Sequence, residues 1–451
     1  MDTLVARKPR ITLAGLLKPP AAAFLFALAA RFTLLVLGHV FEDRIHHYFL
    51  SWGLEALMVA HSLATGFGFA HGFPHYPFPT GWVAPVYVLL LSYGEIIFRL
   101  HDHNVLIFGQ VINVIFSALT CFPIYKLGAK LFDEKFGRTA AWLWALLPSA
   151  ILMPVSWIWD QSLSALILAW LLYYTYWIKD SSSEMQWSGY GLLWGVAALT
   201  NPTLCILLAF FGFWIWYRRY KVALPSVPFF ARAALFFVLS LTPWTLRNYF
   251  EFGTFSFVKT NFGVELWLGN NADVKYVYSP QHHPMEDYRE YKLLVLTNEP
   301  IYGRLKQRDA MAFIRTHPKT FVTLLGHKVL DTWTGVFDAF LTSYIKSLLV
   351  RRILVGYTAL LSIFGFCGLY LGLRTRFSDF LPFAFCLLIF PIPYYVTHSS
   401  LRYRHPIDPA LAILVTLVLV RLVTMFQVSK KRVAQQAQGT RAVEEPEAIN
   451  A

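Results

Sequence analysis

Apolar residues along this chain fall into long runs that are separated by short polar segments. Runs long enough to cross a membrane occur near residues 21–40, 104–124, 139–156, 161–178, 229–246, 352–373, 379–397 and 407–427. Because a helix of about 20 apolar residues spans a bilayer, each run predicts one transmembrane helix. The pattern therefore predicts an all-α polytopic membrane protein.

Two further apolar segments are interrupted, and the distribution of charge decides how we place them. Residues 84–98 are short for a span and contain Glu95, so they predict an interfacial or re-entrant helix. Residues 188–217 are broken at Asn201-Pro202 and predict a hairpin that begins and ends at the cytoplasmic face, with two ordinary spans as the alternative. With these segments included, we expect a bundle of roughly 8 to 11 transmembrane helices.

The composition supports a membrane protein and explains the basic charge. The chain is 56% hydrophobic and 14% charged, which leaves too little polar surface for a soluble globule of 451 residues. Its net charge is +13, but Lys and Arg lie at the ends of the spans, as the positive-inside rule expects. The charge therefore indicates topology and not a nucleic-acid partner. Four cysteines lie singly in apolar segments, without disulfide or metal-ligand spacing.

The predicted topology divides the chain into four parts. They are an N-terminal transmembrane module (1–246) that includes the first outer loop (41–103), an extracytoplasmic region (247–351), C-terminal transmembrane helices (352–428) and a cytoplasmic tail (429–451). In the extracytoplasmic region, short alternating β-prone runs predict a small ordered subdomain, and an amphipathic helix follows around 303–330. The polar tail, which lacks aromatic residues, is predicted to be disordered.

The first outer loop carries the acidic residues Glu42, Asp43 and Glu55. The first two directly follow a span, where interfacial solvation or pairing with Arg44 also explains them. Glu55 lies in WGLEALMVAHSLATGFGF, whose apolar residues recur at helical spacing and whose glycines end the helix. Among apolar neighbours the pKa of this carboxyl group would rise toward the range useful for proton abstraction. We therefore predict that Glu55 is a catalytic base; the alternative is a helix acid that faces water.

Asp160, in VSWIWDQSLSALIL, lies at the outer mouth of two spans. A carboxylate is costly at this depth unless it is hydrated or functional. However, Asp is also favoured as the N-cap of the helix that follows. Both interpretations remain open from the sequence.

An outer turn near the C-terminus concentrates positive charge. The segment HSSLRYRHPIDP holds Arg402, Arg404 and His405, although outer loops normally lack cations. Guanidinium groups match phosphate geometry, so the turn predicts a site for a lipid phosphate or pyrophosphate, with ordinary headgroup contact as the alternative. Arg247, at another outer helix end, is a balanced candidate for the same anion site, and Lys259 is a weaker one.

The sequence identifies no certain cofactor and leaves the requirement for a divalent metal ion open. Histidines are frequent in and after the first outer loop, at positions 46, 47, 61, 71, 75, 101 and 103, but they form no HExxH or other tight ligand pattern. A dedicated zinc site is therefore not favoured. A hard divalent ion held loosely by Glu55 or Asp160 together with substrate phosphate fits the sequence better.

The order of motifs adds a resemblance to a known superfamily. The matching segments span about residues 52 to 425 and are LEALMVAHSLATGFGF, TGWVAPVYVLLL, WALLPSAILMPVSWIWDQSLSALIL, YGLLWGVAALTNPTL, TPWTLRNYFEFGTF, NFGVELWLGNN and LRYRHPIDP. In this order they resemble the GT-C membrane glycosyltransferases, which include protein O-mannosyltransferases and bacterial lipid A aminoarabinose transferases, and more closely the bacterial family-39-like members. The specificity lies in the set, since no single segment is diagnostic.

The resemblance implies a sugar transfer on the extracytoplasmic face of the inner (plasma) membrane. An acid of the first loop would activate a hydroxyl or amine of an acceptor (protein, lipid or glycan), which attacks a sugar held on a polyprenyl phosphate. Glu55 matches this acid by motif, but many relatives carry it nearer the first span, where this chain has Glu42-Asp43. Asp43 is therefore the second candidate base. Asp160 matches an acid that helps build the site or hold an ion, and the Arg402 turn matches the segment that receives the leaving phosphate.

Two other functions remain to be tested. A transporter or flippase of lipid-linked sugars would need ionisable residues near the middle of the membrane, and the predicted spans are almost free of them. A non-catalytic membrane scaffold would not need acids and cations gathered on one face. The transferase is therefore the favoured function.

Overall fold

The computed structural model describes residues 20–40, 54–100, 103–338 and 347–444. Helices account for most of these residues. In chain order they are α1 (Ala21–Val40), α2 (Leu54–Ala64), α3 (Pro85–Phe98), α4 (His103–Leu119), α5 (Cys121–Leu131), α6 (Glu134–Leu146), α7 (Pro148–Ser156), α8 (Gln161–Ile178), α9 (Glu184–Thr200), α10 (Ile206–Lys221), α11 (Val227–Phe252), α12 (Phe262–Leu268), α13 (Tyr288–Thr297), α14 (Glu299–Thr316), α15 (Pro318–Thr334), α16 (Leu348–Leu388), α17 (Ile392–Val396), α18 (Leu401–Arg404) and α19 (Asp408–Glu444).

All eight apolar runs lie in helical segments, and the all-α class is confirmed. Five segments of the described chain are long and apolar enough to cross a membrane, and α6 with α7, which meet at a bend of 47°, would make a sixth. One of the five extends from α16 through α17 and contains a kink at Arg376 (φ −141°, ψ 64°), which separates the two runs predicted there. Within the described ranges the only β pairing is one isolated bridge between Ala70 and Pro79.

The interrupted segment 188–217 forms two helices that break at the predicted position. Asn201 ends α9, its side-chain oxygen accepts a hydrogen bond from Thr203 N at 3.1 Å, and a short 3₁₀ turn leads into α10. Near the end of α10, the Arg219 guanidinium donates to the carbonyl oxygens of Lys179 and Ser181, just before α9 begins. The ends of the two helices therefore meet, as a hairpin requires.

The region from residue 247 to 351, where the sequence predicted short β-prone runs, is helical in most of its described part. Phe257 and Val258 lie in a loop that returns along α11, and the Val258 carbonyl accepts hydrogen bonds from the Trp244 indole (2.9 Å) and the Asn248 amide (3.1 Å). These side chains take the place of the backbone hydrogen bond that a neighbouring strand would donate to this carbonyl. The predicted helix around 303–330 is present as α14 and α15, which are separated at His317-Pro318. At the C-terminus, α19 continues to Glu444, past residue 429, where the sequence suggested disorder.

A fully buried arginine lies in the middle of the first apolar helix. Arg31 donates to the carbonyl oxygens of Ala150 (3.0 Å), Ala145 (3.3 Å) and Trp144 (3.3 Å), and to the Ser117 hydroxyl (2.9 Å). Three of these acceptors flank the bend between α6 and α7. The bend leads through α7 to the turn that carries Asp160, so the Arg31 contacts fix the direction in which α7 approaches that turn.

Candidate active site

A cavity of about 460 Å³ gathers charged side chains from distant parts of the chain. Its walls come from the start of α2, the turn before α8, the break between α9 and α10, the loop before α12, and the segment that joins α17 to α18. The carboxylates on its lining are Glu55, Asp160 and Glu265, and the basic side chains are Lys259, His283, His398 and Arg402. Three predicted site residues, Glu55, Asp160 and Arg402, therefore meet in one cavity.

Glu55 lies in the first turn of α2 and borders this cavity. The buried face of α2 presents Ala56, Val59 and Ala60 to the core, which gives the amphipathic pattern seen in the sequence. A carboxylate in the first turn is also favoured by the helix dipole. Asp43, the second candidate base, and Glu42 lie outside the described residues.

Asp160 is not used as a conventional N-cap. It precedes α8, but its side chain accepts a hydrogen bond from the Ser164 hydroxyl at 2.8 Å and none from a backbone amide at the start of the helix. Burial raises the pKa of Asp160, and the Ser164 hydrogen bond and the nearby charges of Lys259 and Arg402 oppose the rise. The carboxylate therefore lies close to two cations on the cavity wall.

Arg402 is held by aromatic rings and not by an acid. Its guanidinium carbon lies 4.8 Å from the Trp157 ring centre, 5.4 Å from that of Trp159 and 4.8 Å from that of Tyr403. Its only hydrogen bond in the described structure goes to the Tyr403 hydroxyl at 2.8 Å, and no described carboxylate lies within ion-pair distance. Cation–π contacts orient the guanidinium and leave most of its donors for an anion.

Glu265, His398 and Tyr403 form a polar network beside Arg402. His398 Nε2 lies 2.9 Å from the Tyr403 hydroxyl, and its Nδ1 lies 3.4 Å from Glu265. Burial lowers the pKa of His398 to about 4, so the ring is neutral at pH 7. Because Arg402 can only donate to Tyr403, the hydroxyl proton is free to point to His398 Nε2. Sequence reasoning missed Glu265, which lies in the segment NFGVELWLGNN of the resemblance, and His398, which begins the cationic outer turn HSSLRYRHPIDP.

Arg404 and His405 do not reach this cavity, in contrast to the prediction. Both are buried and bind Asp408: Arg404 Nε lies 3.1 Å from one carboxylate oxygen and His405 Nδ1 lies 3.1 Å from the other. The His405 ring also stacks on Trp144 at 5.7 Å. These contacts fix the turn to the bundle, so we do not include the two residues in the candidate phosphate site.

Arg247 also has a different position from the one expected. It donates to the carbonyl oxygens of Phe69 and Thr80, each at 2.7 Å, and lies outside the cavity lining. From the other side, Glu299 accepts hydrogen bonds from the Thr80 hydroxyl at 2.5 Å and from Gly81 N at 2.8 Å. Burial raises the pKa of Glu299, which was not singled out in the sequence. The two residues hold the turn that leads to Trp82 on the cavity wall.

The turn that carries Arg402 packs against α15 and the residues that follow α15. The Ser399 hydroxyl donates to Asp331 at 2.7 Å, and Asp338 accepts from Ser400 Oγ at 2.9 Å and from Leu401 N at 2.8 Å. Burial, together with the nearby Asp338, raises the pKa of Asp331 to about 7. These buried carboxylates set the path of the backbone between His398 and Arg402.

The spacing of potential metal ligands among the described residues bears on whether the site holds an ion. No three His, Cys, Asp or Glu side chains converge at ligand spacing in the part of the chain that the structure describes. His61 instead lies 2.6 Å from Glu95 and joins α2 to α3. Glu55 and Asp160, the two acids expected to hold an ion, both line the cavity, with Lys259 and Arg402 nearby to supply positive charge.

Comparison with known proteins identifies the fold. No family model and no curated protein matches the sequence. Among solved structures, the oligosaccharyltransferase of Archaeoglobus fulgidus in its apo form matches with a TM-score of 0.53 at 15% identity, over 92% of this chain and 52% of that chain. The complex of the same enzyme, AglB, with an inhibitory peptide and a dolichol-phosphate matches with a TM-score of 0.51 at 16% identity, over 92% and 51%.

A third match is weaker. ArnT from Cupriavidus metallidurans bound to undecaprenyl phosphate has a TM-score of 0.38 at 11% identity, over 87% of this chain and 77% of that chain. The chain spans about half the length of the oligosaccharyltransferase that it matches. At these identities the likeness concerns the fold, and the GT-C fold expected from the sequence is confirmed.

Proposed function

We propose that this chain is a membrane glycosyltransferase that transfers a sugar from a polyprenyl-phosphate donor to an acceptor on the extracytoplasmic face. The observation that carries the proposal is one cavity of a GT-C fold in which Glu55, Asp160 and Arg402 meet. Each comes from a different polar segment between apolar helices. The predicted topology places all three segments on the outer face of the membrane. A carboxylate beside free guanidinium donors is what displacement of a phosphate requires.

Glu55 serves as the general base in this proposal. Its carboxylate takes the proton of an acceptor hydroxyl or amine, and the acceptor atom forms a bond to the anomeric carbon of the sugar. The bond from that carbon to the phosphate oxygen breaks, and its electron pair leaves with the polyprenyl phosphate. Asp43 is the competing base and is tested beside Glu55 below.

Arg402 and Lys259 stabilise the departing phosphate. Both border the cavity, and Arg402 has donors free to form a bidentate contact. Arg402 also borders a second, mostly apolar cavity of about 80 Å³, whose lining includes Leu152, Met153 and Leu354 and, at one end, the paired Arg404 and Asp408. A phosphate at Arg402 would thus lie between a polar cavity for the sugar and an apolar one where an isoprenoid chain begins.

Asp160 and the network around His398 position the sugar. Asp160 accepts from Ser164 and keeps an oxygen available for a sugar hydroxyl. Tyr394 stacks on Tyr403 at 4.6 Å, and Tyr278 stacks on His398 at 4.7 Å, so the aromatic wall is rigid. Rigid aromatic faces are suited to pack against a pyranose ring.

The test measures transfer from a radiolabelled polyprenyl-phosphate sugar in membranes that contain the chain. We expect the Glu55→Gln variant to lose at least about 100-fold in transfer while expression and donor binding persist. Glu286→Gln removes an exposed acid that does not line the cavity, and it should transfer normally. Full activity of Glu55→Gln with loss in Asp43→Asn would assign the base to Asp43.

Two results would overturn the proposal. Activity in both acid variants would contradict acid-base catalysis by the first loop. Movement of the labelled donor across the membrane without any glycosylated product would indicate a flippase of lipid-linked sugars.

A further inference from the structure

The outward face of α14 carries a row of arginines. Arg304, Arg308 and Arg315 are exposed, and with Met311 they fall within about 60° of arc on a helix of 3.6 residues per turn. The first and last arginines are separated along the axis by ~16 Å, from a rise of about 1.5 Å per residue. Their side chains border an open groove of about 400 Å³.

These three guanidinium groups have no charged or hydrogen-bonded side-chain partner within the described part of the chain. The opposite face of α14 behaves differently. There Lys306 is buried, lies 2.7 Å from Glu290 and 3.8 Å from Asp309, and stands 3.8 Å over the Trp267 ring. The buried Lys306 is therefore paired with acids, whereas the three exposed arginines form no ion pair within the described part of the chain.

The same helix backs the wall of the candidate active site. Gly303 of α14 packs so closely on Gly263 of α12 that a Cβ atom on Gly263 would lie 1.9 Å from the Gly303 carbonyl oxygen. In the same short helix, Glu265 lines the cavity. At 100° per residue, the three arginines lie about 100–140° around α14 from Gly303, so the row is on an outward face of the helix that packs against this wall.

We propose that the arginine row, Arg304, Arg308 and Arg315, binds the acceptor, and that the acceptor is an extended chain bearing phosphate or carboxylate groups. This rests on the proposed function. A single small anion cannot contact three guanidinium groups spread over ~16 Å, whereas a linear polyanion can. A lipid surface fits less well, because a helix that binds membranes pairs its basic face with a broad apolar one, whereas the exposed large apolar residues of α14 are Ile301 and Met311.

The binding test uses the full chain in detergent and fluorescently labelled inorganic polyphosphate as the probe. The triple variant Arg304→Gln, Arg308→Gln, Arg315→Gln should bind at least about tenfold more weakly and with a shallower dependence on salt, because fewer counterions are released. The matched control is Lys275→Gln, Arg289→Gln, Lys292→Gln, which removes the same charge from exposed positions of the same region. It should stay within about threefold of the unmodified chain.

Two further measurements separate this proposal from its alternatives. With an anionic acceptor, the row variant should raise KM for the acceptor and leave KM for the polyprenyl-phosphate donor unchanged. Equal loss of polyphosphate binding in the row variant and the control would overturn the row as a site. Polyphosphate binding that persists, with loss of binding to phosphatidylglycerol vesicles, would assign the row to the membrane surface and also overturn the proposal.

Failure of the proposed function would look different. If the unmodified chain transfers no sugar, the acceptor role is overturned with it. The polyphosphate assay does not depend on transfer, so in that case it would still decide whether the row is an anion site.

Discussion

The turn Thr80-Gly81 is held from two sides by Arg247 and Glu299, and we expect the replacement of either residue to release it. Arg247 donates to the carbonyl oxygens of Phe69 and Thr80, while Glu299 accepts from Thr80 and Gly81 and also from the Thr260 hydroxyl at 2.7 Å. The residues that follow the turn line the cavity. The pair therefore connects stability to the shape of the site.

The size of the effect follows from the hydrogen bonds that are lost. Arg247→Met removes the two bonds to the turn and one to the Asn248 side chain. Bonds from a charged donor are worth about 1.5–3 kcal/mol each before solvent screening of a partly exposed side chain is considered. Glu299→Gln places an amide among donors that need an acceptor, at a cost of about 1–3 kcal/mol. Because both variants release the same turn, their effects should overlap, with a coupling energy of about 0.5–3 kcal/mol in the double variant.

Thermal unfolding in detergent and limited proteolysis of residues 65–84 measure this effect. We expect Tm to fall by at least ~3 °C in each single variant and proteolysis of the loop to accelerate. Arg232→Met and Glu184→Gln form the control cycle, because this ion pair is exposed and should contribute about 0–1 kcal/mol. An unchanged Tm in Arg247→Met, with a raised KM for the donor, would show that Arg247 is the anion ligand suggested by the sequence.

Two other predictions concern pH and the phosphate contact. Burial raises the pKa of Asp331 to about 7 from an unfolded value of about 3.9. Between these two values the folded state holds a proton that the unfolded state has lost. The free energy of unfolding should therefore fall as the pH rises from about 4 to about 7. Burial lowers the pKa of Lys328 to about 7 from about 10.4, so the free energy of unfolding should rise between about pH 7 and pH 10. Asp331→Asn should flatten only the first limb and Lys328→Met only the second in unfolding curves measured from pH 5 to pH 10; the reverse assignment would contradict both. Separately, Arg402→Lys keeps the charge but loses the bidentate fork and the stacking, so donor KM should rise about tenfold at unchanged Tm. An unchanged KM would remove Arg402 from the phosphate site.

The sequence predicted the apolar helices and three cavity residues because these signals are local, although the run 161–178, which forms α8, is not among the segments long and apolar enough to cross a membrane. Hydrophobic runs define helices wherever they pack, and Glu55, Asp160 and Arg402 each stand out as charges in an apolar or outer segment. That they share one cavity follows from the packing of distant helices. The roles of Glu265 and Glu299 depend on partners that lie far from them in sequence or across the fold, so a charge inventory could not separate them from other acids.

The cationic turn shows a local signal that was available and not used. Asp408 follows Arg404 by four residues and His405 by three, which is the spacing of side-chain pairs on one helix face. Those two residues are therefore committed to Asp408. Arg402 has no such partner in the turn, and only it reaches the cavity. The spacing to Asp408 therefore separates Arg402, the candidate phosphate ligand, from Arg404 and His405, which hold the turn in place.

Arg31 shows how a charge inside a span can belong to the fold and not to a transport path. Pro148 and Pro154 lack the amide protons that the carbonyl oxygens of Trp144 and Ala150 would accept in a continuous helix. Arg31 donates to both oxygens. Trp144 lies in the last turn of α6, where the helix dipole also favours a cation. A transporter would use an intramembrane charge that can change partners, whereas this one is saturated by fixed carbonyl groups. The arginine therefore stabilises the bend that directs α7 toward Asp160, and it supports a site built at the membrane surface over a path through the bundle.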